Sequence, residues 1–187
     1  MIPSIETKRL LLRPYRREDA DLVAHYLNDF DISGNLARVP HPYTREDAEM
    51  WVQVQFANPD PAPGATSFAI EVKGEGYAGA VGFHPGDLSE PVLGYWLAKP
   101  HWGKGVMSEA TRAARDWIVA VSRPEQVLSG AFPFNTASLA IQRKLGFVET
   151  GRSSVHCLAR GEDIEHIDTT LTRAGYDALR ADEETRA

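Results

Sequence analysis

LGYWLAKPHWGKGVMSEA, residues 93–110, is the stretch whose reading decides the fold. It opens as a strand, VLGYWL at 92–97, where branched and aromatic residues suit a pleated surface. Along that strand Tyr95 and Trp96 point to opposite faces. It closes as the mouth of a helix, with Gly103, Lys104 and Gly105 behind Trp102. The first turn of a helix presents N–H groups without intrahelical partners and a partial positive charge. Glycines there let a ligand come close to the backbone, and Lys104 adds a cation. The combination reads as an anion cradle, best suited to a pyrophosphate. A P-loop does not fit the spacing. A dinucleotide fingerprint would need a third glycine at Ser108 and an earlier place in the chain. A helix that merely begins with a sharp turn is the alternative that the glycines alone leave open.

Outward from this stretch, the chain alternates between helical and extended patterns. KRLLLRP, 8–14, is a strand that Pro14 ends. REDADLVAHYL follows as a helix, with Asp19 as its cap and Leu22, Val23, Tyr26 and Leu27 at helical spacing. Residues 28–43 are irregular. Thr44 and Asp47 form a capping-box-like pair at the head of a second helix, TREDAEMWVQVQF. A proline-rich loop, NPDPAPGA at 58–65, leads into SFAIEV and YAGAVGF, two strands joined by the turn KGEG. Phe68, Ile70 and Val72 share one face of the first. Beyond the cradle the helix runs from Val106 to Val121. Its apolar stripe is Val106, Ala110, Ala113, Ala114, Trp117, Ile118 and Val121. Glu109, Arg112 and Asp116 lie opposite at ion-pair spacings. QVLSGAF is a strand. NTASLAIQRKLGF is a helix capped by Asn135 and ended by Gly146. Phe147 begins a further strand, and the turn ARGED leads into the last, EHIDTTLTR. From Ala174 the tail is helical at best and frays into charge. The expected class is a mixed α/β domain around one β–α–β–α unit, with a core over about 5–172 and a charged tail over 174–187.

Composition excludes several classes. A length of 187 residues suits one domain, and 43% hydrophobic residues suffice for a sizeable core. A net charge of −6 argues against a nucleic-acid binder. Cys157 is alone, so neither an internal disulfide nor a cysteine-rich zinc site can form, and its expected place is a packed strand. The first residues carry no long apolar run, so neither a secretory signal nor a membrane span is expected, and a cytoplasmic location is the default. The six histidines show no metal-ligand spacing. Each reads as a surface or satisfied side chain, with His41, His84 and His156 able to line an acceptor site.

LGYWLAKPHWGKGVMSEA resembles motif A of the GNAT superfamily of acyl-CoA-dependent N-acyltransferases. ETKRLLLRP and NTASLAIQRKLGF resemble the matching segments of its RimJ/RimL-like branch, which includes the ribosomal-protein N-terminal acetyltransferases. The three motifs stand in the right order over roughly residues 5–172. The resemblance implies a mostly antiparallel mixed sheet, flanked by helices and splayed between its fourth and fifth strands, where coenzyme A inserts. It implies that the backbone of Leu97 and Lys99 pairs with the pantetheine arm. The amides of Gly103, Lys104, Gly105, Val106, Met107 and Ser108 would hold the pyrophosphate, and Asn135 would sit near the pantetheine. Ser138 matches the serine proposed in this branch to protonate the leaving thiolate.

The sequence departs from the family at three places. Trp102 stands where the superfamily often has Arg or Gln, Met107 replaces a small residue, and Val92 occupies the place of a common Glu. With that carboxylate missing, Glu90 is the candidate base, on the same face only if Pro91 leaves the strand regular. The implied reaction is direct attack of an amine on the acetyl thioester of acetyl-CoA, without metal. A base must first remove a proton from the ammonium, and a backbone N–H within Tyr95–Leu97 would stabilise the oxyanion. The expected partners are a small-molecule amine or a peptide or protein N-terminus, and the sequence leaves a homodimer open. Acceptor specificity would lie in the loops at 28–43, 58–65 and 160–163, where Asp29 and Asp31 suit a cationic amine. A domain that binds acyl-CoA without turnover is the alternative, and a dinucleotide-dependent oxidoreductase the third reading.

Overall fold

The computed structural model describes residues 2–57, 62–86 and 89–185. One eight-stranded sheet organises them, in the order β1-β2-β3-β4-β5-β6-β8-β7. The strands are β1 (Ile5–Glu6), β2 (Leu10–Arg13), β3 (Ser67–Val72), β4 (Gly76–Pro85), β5 (Pro91–Leu97), β6 (Gln126–Ala131), β7 (Val148–Cys157) and β8 (Glu162–Thr172). The helices are α1 (Asp19–Leu27), α2 (Phe30–Ser33), α3 (Arg45–Ala57), α4 (Val106–Ser122), α5 (Thr136–Lys144) and α6 (Arg173–Thr185). Neighbouring strands pair antiparallel except β5 and β6, which run parallel and touch through the single pair Val92↔Leu128. Beyond that pair the two strands separate. Counted without the two-residue β1, this is the expected splay between the fourth and fifth strands.

Each face of the sheet buries its own core. Alternation along β3 sends Phe68, Ile70 and Val72 to one side, where they meet Val106, Ala110 and Ile118 of α4. It sends Ala69 to the other, where Tyr15, Val23 and Leu27 pack with Ala48 and Val52 of α3. Burying Ile118 completely contributes about 1.5–3 kcal/mol by the usual transfer scale.

Several local expectations change in the folded chain. Asp19 is the first residue of α1 rather than its cap; its carboxylate accepts the Arg16 N–H at 2.7 Å and both ends of the buried Arg13 guanidinium. Thr44 and Asp47 do bond reciprocally, the Thr44 N–H to the carboxylate at 2.8 Å and the Asp47 N–H to the hydroxyl at 3.1 Å. The segment 28–43 contains the short helix α2, capped by Asp29. Residues 58–61 of the proline-rich loop lie outside the described residues, and Pro63–Ala65 form a 3-10 turn. On α4 the stripe ends differently: Val121 is 51% exposed, whereas Met107, Arg115 and Val119 are buried. Glu109, Arg112 and Asp116 do not pair with one another: Glu109 pairs with Arg9 and Arg112 with Glu183 of α6, while Asp116 pairs with its neighbour Arg115 and faces Arg180 of α6. The tail forms the ordered helix α6, which these charges hold against α4. His101 is neither exposed nor satisfied, being buried with its Nδ1 unbonded.

Candidate active site

The gap between β5 and β6 is closed at one end by Val92↔Leu128 and by the Ser129 hydroxyl, which donates to the Leu93 carbonyl at 3.0 Å. At the open end two helices begin. The mouth of α4 takes its shape from Gly103 and Gly105, both left-handed at φ 71° and 74°, a region costly for any residue with a Cβ. A Cβ on Gly103 would meet nothing within 4 Å, and one on Gly105 would meet only Arg9 at 3.5 Å. Gly105 is the N-cap and offers no side-chain acceptor, so the first amides of α4 stay available. A pyrophosphate fits this open, amide-lined mouth. Val106 and Met107 bury their side chains in the core, so Met107 points away from the cradle and does not crowd it. Lys104 and Ser108 stand at or near the surface.

Two contacts hold the loop. The Trp102 indole N–H donates to the Leu97 carbonyl at 2.7 Å. Arg9 reaches across from the head of β2, donating to the Lys104 carbonyl at 2.8 Å and to Glu109 at 2.6 Å. Glu109 is partly desolvated, but its bonds from Thr7 and Arg9 prevail and hold its carboxyl below the usual range. Nothing in the local sequence marks Arg9 for this task, because its partners lie about a hundred residues away. Leu97 ends β5, and Lys99 begins a 3-10 turn whose Lys99 carbonyl accepts the Trp102 N–H at 3.0 Å. The Lys99 ammonium bonds Asp29 at 2.9 Å and also Asp31, so these two carboxylates already hold a cation of the chain.

The second helix supplies the hydroxyl. The Asn135 side chain accepts the Ser138 N–H at 3.1 Å, the N-cap expected of it. Ser138 is 9% exposed. Its Oγ lies 2.8 Å from the Tyr95 hydroxyl and accepts Gln142 Nε2 at 3.2 Å. Gln142 also donates to the Gly130 carbonyl at 3.0 Å and accepts the Thr169 hydroxyl at 2.7 Å. Burial pushes the Tyr95 hydroxyl up against the opposing bonds of Ser138 and Gln142, so it remains a proton donor at neutral pH. The structure therefore brings Ser138 together with Tyr95 across the gap. Trp96 faces the other core, against Tyr77. Sequence reasoning left open which aromatic lined the cleft, and it missed Gln142 although the spacing from Ser138 is one helical turn.

Glu90 sits elsewhere. It precedes β5, its carbonyl accepts the Gly86 N–H at 2.7 Å, and Gln126 Nε2 donates to its carboxylate at 3.3 Å. Five residues of extended chain, roughly 16 Å, separate it from Tyr95.

A family model described as an acetyltransferase (GNAT) domain matches residues 9–148. The chain belongs to the GNAT acetyltransferases. An uncharacterized N-acetyltransferase, p20 of Bacillus licheniformis, is 28% identical to it over 177 residues, covering 92% of this chain and 98% of that one. The [ribosomal protein uS5]-alanine N-acetyltransferase of Escherichia coli is 29% identical over 87 residues, 46% of this chain and 45% of that protein. Among solved structures, a GNAT-family acetyltransferase from Bacillus anthracis superposes with a TM-score of 0.76 at 22% identity, covering 91% of this chain and 98% of that one. The ribosomal-protein-S5-alanine acetyltransferase of Vibrio fischeri gives 0.76 at 21% identity, over 91% and 97% of the respective chains. In this GNAT acetyltransferase the splayed pair is β5/β6; two of the three sequence motifs flank it, and the first, on β2, reaches the mouth of α4 through Arg9. Among the described residues no helix is long and apolar enough to cross a membrane.

Proposed function

We propose that this acetyltransferase, acting as one domain, moves an acetyl group from acetyl-CoA to a primary amine, either a protein N-terminus or a small molecule. The observation that carries the reading is the single β5–β6 pair, Val92↔Leu128, opening beside the left-handed Gly103–Gly105 mouth of α4. An unpaired strand edge there can accept an extended amide-bearing chain as an added strand. Leu97 and Lys99 would receive the pantetheine arm, the amides of residues 103–108 the pyrophosphate, and Asn135 would lie beside the arm. Bound acetyl-CoA supplies an activated acyl thioester. Ser138, hydrogen-bonded to Tyr95, would give the sulfur a proton as it leaves. A thiolate leaves near its free pKa of about 8.5, so a weak acid suffices. Holding both reactants in one gap accounts for much of the acceleration. Glu90 is the base that the sequence suggests.

Calorimetric titration with acetyl-CoA, followed by thiol release across a panel of amines, tests the reading. Saturable binding with amine-dependent release supports it. Binding without turnover on any amine favours the sensor alternative, to which the apolar Val92 in place of a carboxylate gives its support. Absence of binding by the folded protein overturns both.

A further inference from the structure

Alternation places more than Trp96 on the face of the sheet opposite Ser138. Two residues beyond Val92↔Leu128 lie Gly94 and Gly130, which share that face. A Cβ on Gly94 would meet nothing within 4 Å, so the space above it is open. Across the gap, a Cβ on Gly130 would collide with the His166 ring. The imidazole therefore lies over the Gly130 backbone, on the β6 side of the gap. Asp168 pairs with Gly130 in register and stands on the same face. His166 Nδ1 lies 2.7 Å from Asp168 Oδ1, and the Ser153 hydroxyl donates to that same oxygen at 2.9 Å. Phe132 meets the ring edge-to-face at 5.9 Å. The side chain of His166 is 21% exposed. A histidine whose Nδ1–H is held by a carboxylate is fixed in orientation and offers a lone pair at Nε2.

We propose that His166, oriented by Asp168, is the base that deprotonates the acceptor amine. The proposal rests on the acyl-transfer reading above and puts His166 in place of Glu90 as its proton acceptor. The ammonium loses its first proton to His166 Nε2, which passes it to water. The free amine forms the C–N bond as the C–S bond breaks. The nitrogen's second proton goes to the sulfur by way of Ser138. An amide, a thiol and one proton leave the site. Acid and base thus stand on opposite faces of the sheet at one gap. His84 also lies on the base's face, paired with Val92. Burial, aided by Arg38, holds its imidazole below the usual range, which disfavours the charged form a base must adopt.

The test compares His166→Gln, Asp168→Asn, His84→Asn and Glu90→Gln with the wild type, each first titrated with acetyl-CoA. His166→Gln should keep its acetyl-CoA affinity within about twofold while kcat falls at least about a hundredfold. Free imidazole should restore part of the activity of His166→Ala, which a merely structural role does not predict. Asp168→Asn should lower kcat and leave acetyl-CoA affinity unchanged, and Asp168→Glu should recover part of the loss. Nitrogen-15 spectra of the wild type should show His166 as the Nδ1–H tautomer; the opposite tautomer overturns the assignment without any acceptor in hand. Full turnover by His166→Gln, with collapse in His84→Asn or Glu90→Gln, moves the base to that residue. A wild type that binds no acetyl-CoA overturns the acyl-transfer reading itself, and the base with it.

Discussion

Gly105 carries two burdens, a left-handed backbone and an open approach to the helix amides. Gly105→Ala should cost about 1–2 kcal/mol in urea unfolding through the backbone alone. Gly105→Val should leave a soluble fold and abolish acetyl-CoA binding, because its branched side chain fills the mouth. Retained affinity in that variant would place the pyrophosphate elsewhere. Ser138 is a weaker lever. Its hydroxyl assists a group that already leaves readily, so Ser138→Ala should lower kcat about tenfold without changing acetyl-CoA affinity. Tyr95→Phe should do less, since Gln142 still donates to Ser138 Oγ. Equal losses in kcat and binding for Ser138→Ala would mark the serine as a structural link between Tyr95 and Gln142. The chemistry of these residue types was legible beforehand; the Tyr95–Ser138 contact was not, because 43 residues separate its partners.

At the scale of elements, Arg115 ties three helices together. It leaves α4 fully buried, at 1% exposed, and donates to the Leu145 carbonyl at the end of α5 at 3.2 Å. Its guanidinium lies over the Tyr176 ring of α6 at 5.2 Å and pairs with Asp116 at 2.8 Å. Arg115→Ala should therefore destabilise the fold by at least about 2 kcal/mol, since it strands a helix-end carbonyl and empties a packed site. Denaturant unfolding measures that loss. A loss below about 0.5 kcal/mol would mean that water replaces the guanidinium at little cost. The helical period predicts α4 itself but places Arg115 among its polar residues. Period alone cannot show that another helix end lies above that position.

Across the molecule, burial of polar groups sets a limit in alkali. The second core holds Tyr15, Tyr43 and Tyr77. Burial pushes all three phenols up, Tyr43 to about 12 with help from Asp47 and Tyr15. The unfolded chain ionises its tyrosines near pH 10. A raised folded value means that this stability is full below about pH 10 and disappears as pH rises through the folded values. Phenolate absorbance should thus rise together with loss of ellipticity, and Tyr43→Phe should move that transition to higher pH. Phenolate appearing near pH 10 in a fully folded protein would show that these side chains reach water. Sequence alone cannot predict this limit, because tyrosines in α3's approach, in the loop after β2 and in β4 meet only when the sheet is closed by α1 and α3.

By itself the sequence determined what depends on near neighbours: the strand and helix periods, the Thr44–Asp47 box, the Asn135 cap and the glycine mouth of α4. These contacts span at most a turn or two, so spacing and residue type suffice to set them. Only the tertiary structure decided where the sheet parts, that Arg9 pins the cradle, that Lys99 satisfies Asp29 and Asp31, and that His166 stands over Gly130. Each of these depends on strand order and register. A shift of one residue in register would turn His166 to the other face, and no local pattern records which register the packed cores select.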